Sequence, residues 1–155
     1  MTTDILAAGR SRGTEQNRPY AGALTPQESY ALLQAHQGDT KIKLIDVRTD
    51  AERDWIGKPQ LAADQQFAVQ WTLYPGGKPN PDFLAQLAQV ADKDDVLLFL
   101  CRGAVRSKGA AKLATEHGYT NSFDVLEGFE GGKDAEGHRK NVDGWCKAGL
   151  PWIGA

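Results

Sequence analysis

The sequence predicts an α/β fold: a single domain with a mostly parallel central sheet and helices on both faces. Three observations predict it. Strand-like and helix-like stretches alternate along the chain, the pattern of successive βαβ units. Val96-Leu-Leu-Phe-Leu100 is an unbroken apolar run between Asp94-Asp95 and Gly103, as expected of a strand buried on both faces. The Ala-, Lys- and Leu-rich run from Ser107 to His117 then closes on Gly118, a helix ending on a C-cap glycine. Cys101 therefore stands at the carboxyl end of a buried strand and ahead of a helix N-terminus, the sheet edge where ligands bind in open α/β folds.

The chain in order supports this layout. Residues 1 to about 23 are polar and lack periodicity, and are expected to form a loosely ordered or draped N-terminal extension with Arg10, Arg12 and Arg18 solvated. Residues 24–155 are expected to form the domain proper. Thr25-Pro26-Gln-Glu28 opens a helix with Thr25 as N-cap, Pro26 at its first position and Glu28 three residues on. Ile42 to Val47 is the next strand. Phe67 to Tyr74 is a strand candidate stopped by Pro75-Gly76-Gly77, and Asn80-Pro81 opens a helix whose stripe is Phe83, Leu84, Leu87 and Val90. Tyr119 to Leu126 reads as the last strand, residues 129–140 as a Gly-rich loop insertion, and Val142 to Pro151 as a closing helix.

Composition narrows the function classes. The 155 residues hold 41% hydrophobic and 25% charged residues with a net charge of −2, so no general affinity for polyanions is implied and no nucleic-acid partner is expected. No run of eighteen apolar residues exists, and no membrane association is expected. The first ten residues lack the basic start and long apolar core of a signal peptide, and two distant cysteines do not make a disulfide scaffold, so the expected location is cytoplasmic. No His/Cys cluster has metal-ligand spacing, and neither a metal nor a cofactor is called for.

The loop Cys101-Arg-Gly-Ala-Val-Arg106 carries the chemistry. Unpartnered N–H groups at a helix start, the helix dipole, and the charges of Arg102 and Arg106 all favour thiolate over thiol. Cys101 is expected to be an activated nucleophile; the competing reading is a packed strand-end cysteine, which needs no charge beside it.

Three ordered motifs resemble the rhodanese-type sulfurtransferases. Cys101 to Arg106, with four intervening residues, resembles their active-site loop, whereas tyrosine phosphatases on the related fold use five. Asp46-Val47-Arg48 with Glu52 is similar to their Asp-Val-Arg signature. Trp145-Cys-Lys-Ala148-Gly149-Leu150-Pro151 is similar to their closing Trp-x-x-Ala-Gly-Leu-Pro. Between Glu52 and the second strand the chain departs from the pattern, so contacts at that rim do not carry over. Trp55, Trp71 and Tyr74 are open as mouth or packing residues.

The resemblance implies a single rhodanese-like domain and a two-step transfer. Cys101 takes the outer sulfur of thiosulfate or a similar small anionic donor, and passes it as a persulfide to cyanide in vitro or to a thiol or protein acceptor. Arg102, Gly103, Ala104, Val105 and Arg106 form the persulfide-binding loop, with either arginine turned inward. Asp46 and Arg48 scaffold it, Arg48 pairing with Glu52. Cys146 is either a resolving thiol or a packed residue. A persulfide carrier or interaction module, a redox sensor using Cys101 and Cys146, and a phosphatase or arsenate reductase are the alternatives.

Overall fold

The computed structural model describes residues 1–154. The elements run α1 (Thr2–Glu15), β1 (Gly22–Leu24), α2 (Pro26–Ala35), β2 (Ile42–Asp46), α3 (Asp50–Ile56), β3 (Lys58–Pro59), β4 (Gln66–Ala68), β5 (Thr72–Leu73), β6 (Lys78–Pro79), α4 (Phe83–Val90), β7 (Val96–Leu100), α5 (Arg106–Glu116), β8 (Ser122–Val125) and β9 (Trp152–Ile153). The central sheet has the order β1-β8-β7-β2-β4, and all its pairings are parallel. The α/β class with helices on both faces is therefore as expected.

Strand β7 lies at the middle, and its side chains alternate between two cores. Leu97, Phe99 and Cys101 pack with Ile45 and Val47 of β2 and its end, beneath Phe83 and Leu87 of α4 and Ala110, Ala111 and Ala114 of α5. Leu98 and Leu100 pack on the other face with Leu32 and Leu33 of α2, Phe129 and Trp145. Burial on both faces is why the strand reads as a continuous apolar run rather than an alternation. The strand order reverses between β2 and β7, which places the switch point of the sheet between the ends of these two strands.

Of the two expectations for the N-terminal extension, loosely ordered or draped, residues 2–15 follow the second. They form α1, which packs on β1 through glycines: a Cβ at Gly9 would come within 2.6 Å of the Leu24 side chain, and one at Gly13 within 2.5 Å of Ala21 O. Beside these glycines only Ile5 and Leu6 reach the core, too few to read as an apolar stripe. Arg12 is not solvated either. Its guanidinium donates to both Glu28 oxygens (2.6 and 3.0 Å) and to Ala23 O (2.9 Å), while Glu28 completes the capping box with Thr25. Arg18 reaches Tyr20 and approaches buried Asp124, and Arg10 lies over the Phe123 ring.

Three further boundaries differ. The expected strand 67–74 divides into β4, which stays on β2, and β5, which leaves to form a hairpin with β6. The helix expected from Asn80 begins at Phe83, because Asn80 uses its side chain to accept from Asp82 N (3.0 Å) in a preceding turn. The closing segment is a single turn rather than a helix. Trp145 N and Cys146 N donate to Gly128 O and Phe129 O instead of to residues four back, and Gly144 and Gly149 hold left-handed φ values of 99° and 77°. No helix among the described residues is long and apolar enough to cross a membrane.

Candidate active site

The site forms where β7 ends. Cys101 is 1% exposed at the base of a depression of about 190 Å³ lined by Cys101, Arg102, Gly103, Val105, Arg106 and Arg139. The loop's carbonyls face away from it: Cys101 O accepts from Phe129 N (2.8 Å), and Arg102 O from Glu130 N (3.0 Å) and Gly131 N (3.2 Å). Ala104 takes a left-handed φ of 65°, which closes the loop into the start of α5. Among the described residues the five backbone N–H groups from Arg102 to Arg106 donate to no protein acceptor. Unpartnered amides in a loop at a helix start can bind an anion.

A buried polar chain lies behind the sulfur. Cys101 Sγ is 3.3 Å from Ser107 Oγ, which donates to Asp124 Oδ1 at 2.5 Å. Asp124 is fully buried and also receives Lys108 Nζ at 2.9 Å, with Arg18 Nη1 at 3.7 Å. Sequence reasoning did not single out Asp124, since a carboxylate within Phe123-Asp-Val125 looks like an ordinary strand residue.

Each loop arginine is held by a carboxylate. Arg106 donates to both oxygens of Glu52 (2.6 and 2.8 Å), and Arg102 Nε donates to Glu130 (3.0 Å). Glu52 is thus bound to Arg106, while its Oε1 also accepts from Thr49 N, and it does not pair with Arg48 as expected. Arg48, fully buried, instead bonds Asp46 through Nε (3.0 Å) and Nη2 (2.8 Å), and Arg53 joins the same carboxylate (3.1 Å). Asp46 and Arg48 do not line the depression. Nor do Trp55, Trp71 or Tyr74: Trp71 packs edge-on against Phe83, and Trp55 and Tyr74 form an exposed edge-to-face pair.

The Glu52–Arg106 clamp makes stability depend on pH with a definite sign. Burial raises the Glu52 carboxyl pKa, but the bonds and charge of Arg106 and the Thr49 cap outweigh it, and the net lies below the ordinary 4.5. The bonds from Arg12 likewise hold Glu28 below 4.5. Groups depressed in the folded state stabilise it above their unfolded pKa and lose that contribution as pH falls through the folded value. The urea midpoint is therefore expected to fall below pH 4.5, less steeply in Glu52→Gln, and to be independent of these two groups between pH 6 and 8. An unchanged acid slope in the variant would contradict the clamp.

Cys146 sits apart from Cys101, packed against the core on the opposite face of the sheet. Burial pushes its thiol up to about 11. It stays protonated at pH 8, and its contribution to stability is lost only as pH rises from the ordinary 9.0 through that value. Slow alkylation of Cys146 by iodoacetamide at pH 8 is expected by peptide mapping, because the thiolate is the reactive species; rapid labelling would contradict this environment.

The acidic group of Asp92, Asp94 and Asp95 lies before β7, at the other end of the strand from Cys101. Lys43 already donates to Asp95 at 2.6 Å and Lys41 approaches Asp94 at 3.5 Å, so lysines fill the role a cation would have there.

The model of the rhodanese-like domain family matches residues 29–135. The chain belongs to this family. Its rhodanese-like sheet is similar to the crystal structure of Rv0390 from M. tuberculosis, with 40% identity, a TM-score of 0.77, and coverage of 88% of this chain and 99% of that one. An uncharacterised protein of Rickettsia rickettsii is 34% identical over 112 residues, spanning 70% of this chain and 80% of its own. The thiosulfate sulfurtransferase GlpE of Haemophilus influenzae is 29% identical over 128 residues, spanning 83% of this chain and 90% of its own. The rhodanese-like loop from Cys101 to Arg106 lies inside the matched region.

Proposed function

We propose that this rhodanese-like protein is a sulfurtransferase that moves a sulfane sulfur from thiosulfate, or a donor of similar shape and charge, to a thiophilic acceptor. One observation carries the reading: a cysteine at the floor of a small depression, under a ring of unpartnered amides and beside arginines. The likeness to a thiosulfate sulfurtransferase supports it.

The cycle has two displacements. Cys101 sulfur attacks the outer sulfur of thiosulfate; a Cys101 S–S bond forms, the donor's S–S bond breaks, and its electron pair leaves on sulfite. The persulfide anion rests among the amides of Arg102 to Arg106, which stabilise its charge. Cyanide, a thiol or a protein acceptor then attacks the outer sulfur and returns Cys101 as thiolate. No metal or cofactor enters. The four residues between Cys101 and Arg106, against the five of tyrosine phosphatases, favour a single added sulfur over a phosphoryl group.

Initial rates with thiosulfate and cyanide test the reading. Parallel double-reciprocal lines, with thiocyanate and sulfite as products and no hydrolysis of an aryl phosphate, are expected. Intersecting lines, or phosphatase activity without thiocyanate, would overturn it.

A further inference from the structure

We propose that Arg139, supplied by the 129–140 insertion, is the residue that holds the oxyanion end of the sulfur donor; this rests on the sulfurtransferase reading above. Three guanidinium groups line the depression over Cys101: Arg102, Arg106 and Arg139. Two are already neutralised. Arg106 is held on both sides of its fork by Glu52, and Arg102 by Glu130. Arg139 has no carboxylate within salt-bridge distance among the described residues, and the acceptor it uses is a neutral one, Gly131 O, at 2.6 Å from Nη1. Its charge is the uncompensated one of the three.

A second observation points the same way. Arg139 Nε is buried and has no hydrogen-bond partner. Arginine carries five donors and no acceptor, and a buried donor without an acceptor is unfavourable. Seated in the depression beside this guanidinium, two oxygens of a tetrahedral sulfonate or a pyramidal sulfite can accept from its forked N–H groups, a pairing that a point charge does not offer. The placement is close: a Cβ on Gly103 would meet Arg139 Nη1 at 3.1 Å, so the absence of a side chain there lets the guanidinium rest against the cradle loop.

The insertion is folded so as to present this residue. Asp134 accepts from Glu136 N (2.9 Å), His138 N (2.8 Å) and Asn141 Nδ2 (3.0 Å), and its own N–H donates to His138 O (2.8 Å). Lys140 N then donates to Glu130 O at 2.9 Å, which returns the chain to the segment that receives the loop's carbonyls. Arg139 is fixed between these two anchors. In the transfer step it stays with the three sulfonate oxygens as the donor S–S bond breaks, and offsets the charge that sulfite carries away. Residues distant in sequence thereby divide the work: the amides after Cys101 hold the transferred sulfur, and the insertion holds what is left behind.

Two readouts on the full chain test this. The first is steady-state kinetics of wild type, Arg139→Gln, Arg139→Lys and Arg102→Gln. Arg139→Gln is expected to raise the thiosulfate KM at least tenfold with kcat changed less than threefold and the cyanide KM unmoved. Arg139→Lys should recover part of the loss, and Arg102→Gln should raise the KM less. The second does not depend on turnover: sulfite should protect Cys101 of the wild type from iodoacetamide and fail to protect it in Arg139→Gln at the same concentration. A wild-type thiosulfate KM together with retained sulfite protection in Arg139→Gln overturns the role of Arg139 and leaves the sulfurtransferase reading standing. Wild-type protein that takes no sulfur from thiosulfate overturns both.

Discussion

Replacing Cys101 by serine is expected to lower thiocyanate formation by about 10⁴-fold or more, the scale seen when a covalent nucleophile is removed from an enzyme. The substitution is sterically small. Cys101 is buried with its sulfur against Ser107 Oγ at 3.3 Å, and a serine hydroxyl can make the same contact. Its carbonyl bond from Phe129 N and the loop's fold do not involve the sulfur. The variant should therefore keep its urea midpoint while losing sulfur transfer. Activity within tenfold of the wild type would mean that sulfur does not pass through residue 101.

The largest effect on stability is expected at Asp46. Its carboxylate accepts from Arg48 N (3.2 Å), Arg48 Nε (3.0 Å), Arg48 Nη2 (2.8 Å) and Arg53 Nε (3.1 Å). Both Asp46 and Arg48 are fully buried, and Arg48 stacks at 4.3 Å on the ring of Phe129. Asp46→Ala leaves a guanidinium in the interior without its counter-charge, a change that costs about 3–5 kcal/mol in comparable pairs. The urea midpoint should fall by roughly 2 M at the denaturant sensitivity usual for domains of this size. Asp46→Asn should fall between the two, since it keeps acceptors but not charge. A loss under about 1 kcal/mol would show that Arg48 finds solvent or another acceptor, against the burial that frames it. The effect bears on the site because Asp46 is paired in register with Leu100 and Val47 N donates to Leu100 O (2.8 Å), one residue before Cys101.

What could be read from the sequence follows from how local each feature is. Val96–Leu100 declared itself because both faces of β7 are covered, and the Thr25–Glu28 capping box because its bonds close within four residues. Cys101 to Arg106 was legible for the same reason: strand end, loop and helix start are contiguous. The choice of ion partners was not. Arg48 and Glu52 stand one helical turn apart and were expected to pair, yet Arg48 turns inward to Asp46 and Glu52 crosses to Arg106, contacts decided by tertiary packing. α1 was missed because its docking face combines Gly9 and Gly13 with only two apolar side chains, Ile5 and Leu6, too few to show a stripe. Arg139 could not have been assigned to the mouth, since its place depends on the Asp134 turn and on Glu130 bridging back to the loop.

In the proposed cycle Cys101 carries the transferred sulfur. Intact mass of the full chain after incubation with thiosulfate, before and after addition of cyanide, tests it most directly. The expected result is a gain of one sulfur atom that maps to the Cys101 peptide, is absent from Cys101→Ser, and disappears with cyanide. Wild-type protein with a demonstrably free Cys101 thiol and no gain in mass, or a gain that maps to Cys146, would contradict it.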